Sequence, residues 1–195
     1  MHRPRRRQDS ASGADSLNYD GFSILLHWLT AGLVGTLWTL GQCFSYFPRG
    51  APRHAALSVH ILLGITLGAV LLVRIAWRSS AGRRLPAADA GWAGRLAQSA
   101  HHGLYVLLVV TVALGISRVW LQGTHVFDWF AFARPAFSTR ALTRTVGGLH
   151  GDFADIVVIL AGLHAAAALA HHYLLRDSVL QRMLPRKNKI RTDAE

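Results

Sequence analysis

Four long apolar stretches, at 22–43, 57–77, 103–121 and 153–175, restrict this chain more than any other feature in it. Each is close to the ~20 residues that a helix needs to cross a ~30 Å hydrocarbon core. Their internal glycines (Gly32, Gly35, Gly64, Gly68, Gly115, Gly162) would weaken a helix in water. In a bilayer the same glycines let helices approach closely, or leave room for a flat group between them. The pattern predicts an all-α fold, an integral membrane four-helix bundle.

Charge is distributed as that fold requires. The chain is 51% apolar yet carries a net charge of +11, and its Lys and Arg avoid the apolar stretches almost entirely. A nucleic-acid binder would carry them along its structured core, so no nucleic-acid partner is expected. Fourteen basic residues fall on the side of the N-terminus, against five (Arg49, Arg53, Arg134, Arg140, Arg144) in the opposite loops. By the positive-inside rule both termini are expected in the cytoplasm, with the protein multi-pass in a bacterial inner membrane. Arg74 and Arg118 sit near helix ends, where long side chains can snorkel to the interface, and Arg74 could equally partner the acidic edge of a cofactor. The first 21 residues are polar and the apolar run after them is too long for a signal h-region. Residues 1–16 are therefore expected to be a retained, disordered basic tail, 17–187 the transmembrane domain and 188–195 a C-terminal tail. Cys43 is the single cysteine, which excludes an internal disulfide and a thiolate metal cluster.

Between the second and third stretches, the segment around Trp92 is expected to lie along the membrane surface as a short amphipathic helix. The loop at 122–148 is rich in aromatic residues (Phe127, Trp129, Phe130, Phe132, Phe137). These either roof a cofactor or form an interfacial aromatic belt.

Eleven histidines are many for such a chain. His150 and His164 are 14 residues apart, close to four turns, so both imidazoles leave one face of one helix, separated by a rise of roughly 21 Å. The first helix runs outward and puts His27 near its cytoplasmic end. The second runs inward and puts His60 near its outer end. Depth alone then pairs His27 with His164 and His60 with His150, two sites one above the other. Of the rest, His101, His102, His171 and His172 lie at the cytoplasmic mouths of helices, where they either solvate the interface or serve a cofactor's edge or a proton path. His54 and His125 fall in outer loops, and His2 in the tail.

Two facing imidazoles are too few for zinc, which takes four ligands, or three and a water. Haem iron has four equatorial nitrogens already and accepts axial imidazole. A flat macrocycle also suits the glycines and the apolar lining, so two haem b groups are expected, each between a pair of histidines.

The motifs point the same way. L-L-H-W-L at 25–29, F-P-R at 47–49, V-H-I-L-L-G at 59–64, G-L-H-A-A-A-A-L-A-H-H-Y at 162–173 and R-D-S-V-L-Q-R-M-L-P-R at 176–186 resemble the bacterial cytochrome b561 family of four-helix dihaem membrane cytochromes. The resemblance covers roughly residues 17 to 187. It implies haem ligation by His27, His60, His150 and His164. It further implies the branch that acts as a superoxide:ubiquinone oxidoreductase, taking superoxide at the periplasmic face and passing single electrons to ubiquinone. The five arginines of the outer loops, against Asp128 and Asp152, would steer that anion. The alternative is a cytochrome b subunit that relays electrons between a partner dehydrogenase or hydrogenase and the quinone pool. A non-redox metal carrier or helical scaffold is a third class, separated from both by the absence of a Soret band.

Overall fold

The computed structural model describes residues 19–82, 91–127 and 129–184. The two tails, the link at 83–90 and Asp128 lie outside the described residues, and with them the expectations for 1–16 and 188–195. Four long helices dominate: α1 (Gly21–Gln42), α2 (Ala51–Ser80), α3 (Trp92–Gln122) and α4 (Arg140–Tyr173). All four are long and apolar enough to cross a membrane.

Local chemistry sets the helix ends. Asp20 caps α1, its carboxylate accepting from the Ser23 backbone N–H and hydroxyl at 2.8 Å each. Pro52 sits in the first turn of α2, where its missing N–H costs nothing. Thr139 caps α4 by accepting from the Leu142 N–H at 3.1 Å. Gly123 stops α3 in the left-handed region, at φ 63°. A side chain there would also crowd Arg134, since a Cβ would fall 2.9 Å from the arginine's Cβ.

Two helices begin well before their apolar stretches, because hydropathy marks where a helix is greasy and not where it starts. No proline interrupts 92–103, so the segment around Trp92 continues straight into α3 instead of forming a separate surface helix. Likewise α4 starts at Arg140, which places His150 three turns inside the helix instead of at its head. The loop between α3 and α4 is correspondingly short. It holds one hairpin, β1 (His125–Val126) antiparallel to β2 (Phe130–Ala131). Val126 is fully buried beneath the hairpin, and the Phe127 N–H donates to the buried Ser58 hydroxyl at 3.1 Å, which fastens the hairpin to α2. Trp129, Phe130 and Phe137 turn outward, so those three rings belong to an exposed belt and not to a roof.

A small apolar core, Leu37, Leu67, Leu71, Leu108 and Val157, draws on all four helices. Around it the bundle is inverted relative to a soluble protein. Leu25, Leu72, Val106, Ile159 and Leu163 all face outward on the helix exteriors. That is the surface hydrocarbon chains would cover, since the helices satisfy their own backbone hydrogen bonds. At one end, the terminal end, the Tyr19 N–H donates to Arg182 O at 3.3 Å and the Trp28 indole donates to Met183 O at 2.8 Å. The hairpin marks the opposite end.

Candidate functional site

The four histidines singled out from the sequence come off α1, α2 and α4, and the structure brings them together in twos at two levels. His60 and His150 meet near the hairpin end with ring centroids 6.2 Å apart. His27 and His164 meet near the terminal end with centroids 6.5 Å apart. An imidazole nitrogen binds a transition-metal ion at about 2 Å, so two rings on opposite sides of one ion put their centroids about 6 Å apart. On every helix the apolar core residues fall between these two levels. Leu37 lies beyond His27, Leu67 between His60 and the terminal end, and Val157 midway between His150 and His164.

The hairpin-end pair is held from three sides. His150 donates from Nδ1 to Thr111 O at 3.0 Å, which leaves Nε2 as its acceptor nitrogen. A carbonyl bond of this kind is what fixes the tautomer and orientation of metal-binding imidazoles in general. Gly115 makes room for the ring: a Cβ there would stand 2.9 Å from His150 Cε1. His60 packs edge-on against Phe44, with centroids 5.4 Å apart, and Gly41 lies beside its Cε1. Nδ1 of His60 is buried without a well-formed hydrogen bond, the backbone at Leu37 being what it faces.

The terminal-end pair has a different surround. Arg74 points inward, not toward the interface as snorkelling would have it. Its Nη2 is 3.1 Å from His27 Nδ1, and its Nε donates to the Tyr105 hydroxyl at 2.8 Å. His101, expected at the mouth of α3 either as an interfacial residue or beside a cofactor's edge or proton path, turns inward, and its ring meets His164 edge-on with centroids 5.1 Å apart. That is too close for an ion to sit between them. A signal for it existed: His101 and Gly115 are 14 residues apart, the same four-turn spacing as His164 and His150 on the helix they face. Arg118, one turn beyond Gly115, lies over Gly147, whose Cβ would be 3.1 Å from the arginine's Nε. The cation thus sits one turn above His150.

Other polar groups hold the frame. Asp155 ties α4 to α1, accepting from the Trp38 indole at 2.8 Å and the Gln42 amide at 3.2 Å. Past the end of α4, Asp177 accepts from His171 and from the Val179 N–H. The His171 hydrogen bond, helped by the Val179 one, holds the Asp177 carboxyl below its ordinary value of 3.8. His102 bonds back to Gln98 O on its own helix.

The donor set decides what kind of group fits. Among the described residues, no three His, Cys, Asp or Glu side chains converge on one point. A metal needing three or four protein ligands therefore has no site here. A metal that brings its own equatorial ligands needs only two axial donors, which each level supplies.

Fold and site together define a class: four-helix membrane proteins with imidazole pairs stacked at two depths. The chain belongs to the prokaryotic cytochrome b561 family, whose sequence profile matches residues 18–186. It is thus a haem-binding membrane protein of the electron-transfer type. It is 33% identical over 175 residues to cytochrome b561 homolog 2 of Escherichia coli (strain K12), a match covering 85% of this chain and 90% of that one. It is 29% identical over 175 residues to "Probable superoxide oxidase CybB" of Yersinia pestis, covering 87% and 97%. With cytochrome b562 of Cereibacter sphaeroides it shares 26% over 180 residues, covering 85% and 94%.

Proposed function

We propose that this protein is a dihaem b-type cytochrome of the bacterial inner membrane that oxidises superoxide at the hairpin end and reduces ubiquinone. In this reading His27 and His164 hold one haem and His60 and His150 the other. The observation that carries it is the pair of imidazole couples, 6.5 and 6.2 Å between centroids, at two levels of one bundle. A haem held by either couple would supply one-electron iron chemistry there.

The chain's own residues supply the rest. Thr111 O fixes the ring orientation of His150. The leucines and Val157 between the levels exclude water from the gap. Arg118 over Gly147 sets a cation beside the hairpin-end pair, where it draws an anionic substrate inward. The excess of basic residues toward the termini supports a cytoplasmic terminal end and a periplasmic hairpin end. The superoxide role is supported by the likeness to the Yersinia probable superoxide oxidase, and the ubiquinone role by the family resemblance of the motifs at 162–186.

The test is turnover by the purified protein with superoxide as donor and ubiquinone as acceptor, together with haem stoichiometry from a reduced-minus-oxidised spectrum. Two haems per chain and ubiquinol formation without any added protein are the expected result. Turnover only with a soluble partner would overturn the superoxide role and leave the haem assignment standing. A colourless preparation from haem-replete cells would overturn both.

A further inference from the structure

The hairpin end carries a polar feature that the histidine chemistry does not use. Between the end of α3, the irregular segment after β2 and the first turns of α4 lies a cavity of ≈ 350 Å³, lined by Leu121, Gln122, Arg134, Arg140, Thr143 and Arg144. Three of these six side chains are guanidinium groups. Among the described residues the one side-chain ion pair is His171 with Asp177, at the other end of the bundle. Two of the guanidinium groups donate to neutral carbonyls, Arg134 to Ser138 O at 3.0 Å and Arg144 to Arg140 O at 3.4 Å. Like charges around one cavity repel unless an anion joins them, and the arginine fork is the side chain best matched to a phosphate oxygen pair.

The depth of the cavity indicates where such an anion comes from. Trp120 and Phe137 meet edge-to-face beside it, with centroids 5.7 Å apart, and are 44% and 61% exposed. Exposed aromatic rings at the ends of spanning helices lie at the level of the lipid headgroups. Superoxide is diatomic and singly charged, and leaves most of such a space and most of its donors unused. A phosphodiester with its glycerol fits better. Its several oxygens would meet the guanidinium N–H groups and the Gln122 amide N–H, and its carbons Leu121, while the Thr143 hydroxyl already donates to Thr139 O at 3.0 Å.

We propose that Arg134, Arg140 and Arg144, with Gln122, form a site for the phosphate of an anionic phospholipid at the hairpin end. One bound headgroup there spans the end of α3, the segment after β2 and the start of α4. It clamps the three elements that carry the frame of the His60–His150 level.

The test uses the full haem-loaded chain in detergent, titrated with phosphatidylglycerol or phosphatidylcholine and followed by native mass spectrometry and thermal melting. One phosphatidylglycerol retained per chain is expected, bound at least tenfold more tightly than phosphatidylcholine, with a raised melting temperature. In the variant R140Q/R144Q that preference should fall at least tenfold, while an unchanged Soret spectrum shows that the bundle has formed. R134Q alone is the milder second variant, with a smaller loss in the same direction. Three results overturn the proposal. The variants retain phosphatidylglycerol as the parent does. Inorganic phosphate alone reproduces the stabilisation and displaces the lipid, which makes the ligand a free anion. Or the variants keep the lipid and lose only superoxide turnover, which makes the cavity a substrate channel.

Discussion

Arg74 donates to His27 through the nitrogen that a haem-ligating imidazole normally uses as a donor. The guanidinium can only donate, so His27 Nδ1 accepts at 3.1 Å. A metal-bound imidazole is turned the other way, giving its second N–H to an acceptor. Haem binding at His27 therefore requires Arg74 to leave Nδ1, with Tyr105 as the partner it can keep. Once displaced, its charge would remain near a haem held by His27 and His164. At ~8 Å and an effective dielectric of ~20 a unit charge is worth about 2 kcal/mol. That energy is on the order of 90 mV for a one-electron couple. Arg74→Leu should therefore lower one midpoint potential by tens of millivolts and leave the other within error, in a spectroelectrochemical titration.

Paired histidines predict paired losses. His27→Ala and His164→Ala should each remove the same haem component from the reduced-minus-oxidised spectrum, and His60→Ala and His150→Ala the other. The check is a potentiometric titration of all four variants. Different components lost by the two members of a couple would refute the assignment.

Gly115 and Gly41 make a matched comparison at the hairpin-end level. A Cβ at Gly115 meets His150 at 2.9 Å, and the ring cannot yield freely because Thr111 O holds it. Overpacking of this kind costs roughly 1–3 kcal/mol, so Gly115→Ala should weaken retention of the His60–His150 haem by about 5- to 150-fold. At Gly41 the nearest atom would be 3.8 Å away, an ordinary contact, and Gly41→Ala should retain haem as the parent does. Haem retention during gel filtration against apomyoglobin distinguishes the two.

How far the site was legible before the fold follows from what depth can and cannot say. Position along a spanning helix fixes depth, so the spacing of His150 and His164 and the run directions of α1 and α2 were enough to anticipate which rings meet. Depth says nothing of azimuth. Depth therefore leaves Arg74 open between snorkelling and a cofactor's edge and gives Arg118 only snorkelling, whereas one reaches His27 and the other lies over Gly147. Helix starts were hidden for a different reason. Arg140, Thr143 and Arg144 continue α4 beyond its apolar stretch, and only the Thr139 cap marks its beginning. The hairpin rests on a contact between Ser58 and Phe127, 69 residues apart, which no local pattern could signal.

The fold at the terminal end should respond to acid. His171 and the Val179 N–H hold the Asp177 carboxyl below its ordinary value of 3.8. A depressed carboxylate stabilises the folded state above its unfolded value, and the contribution fades as pH falls through the folded one. Asp177→Asn should therefore melt below the parent at neutral pH. The gap should hold down to about pH 4 and close as the pH drops further, as read from melting curves across that range.

Because Tyr19 N–H reaches Arg182 O, the chain leaves the bundle almost where it came in. A short peptide tether could join those two points without crossing the bilayer, and the ring could then be reopened at the hairpin turn beside Trp129. Such a circular permutant would keep every helix in place while moving both ends to the opposite face, so reporters fused there would change compartment together.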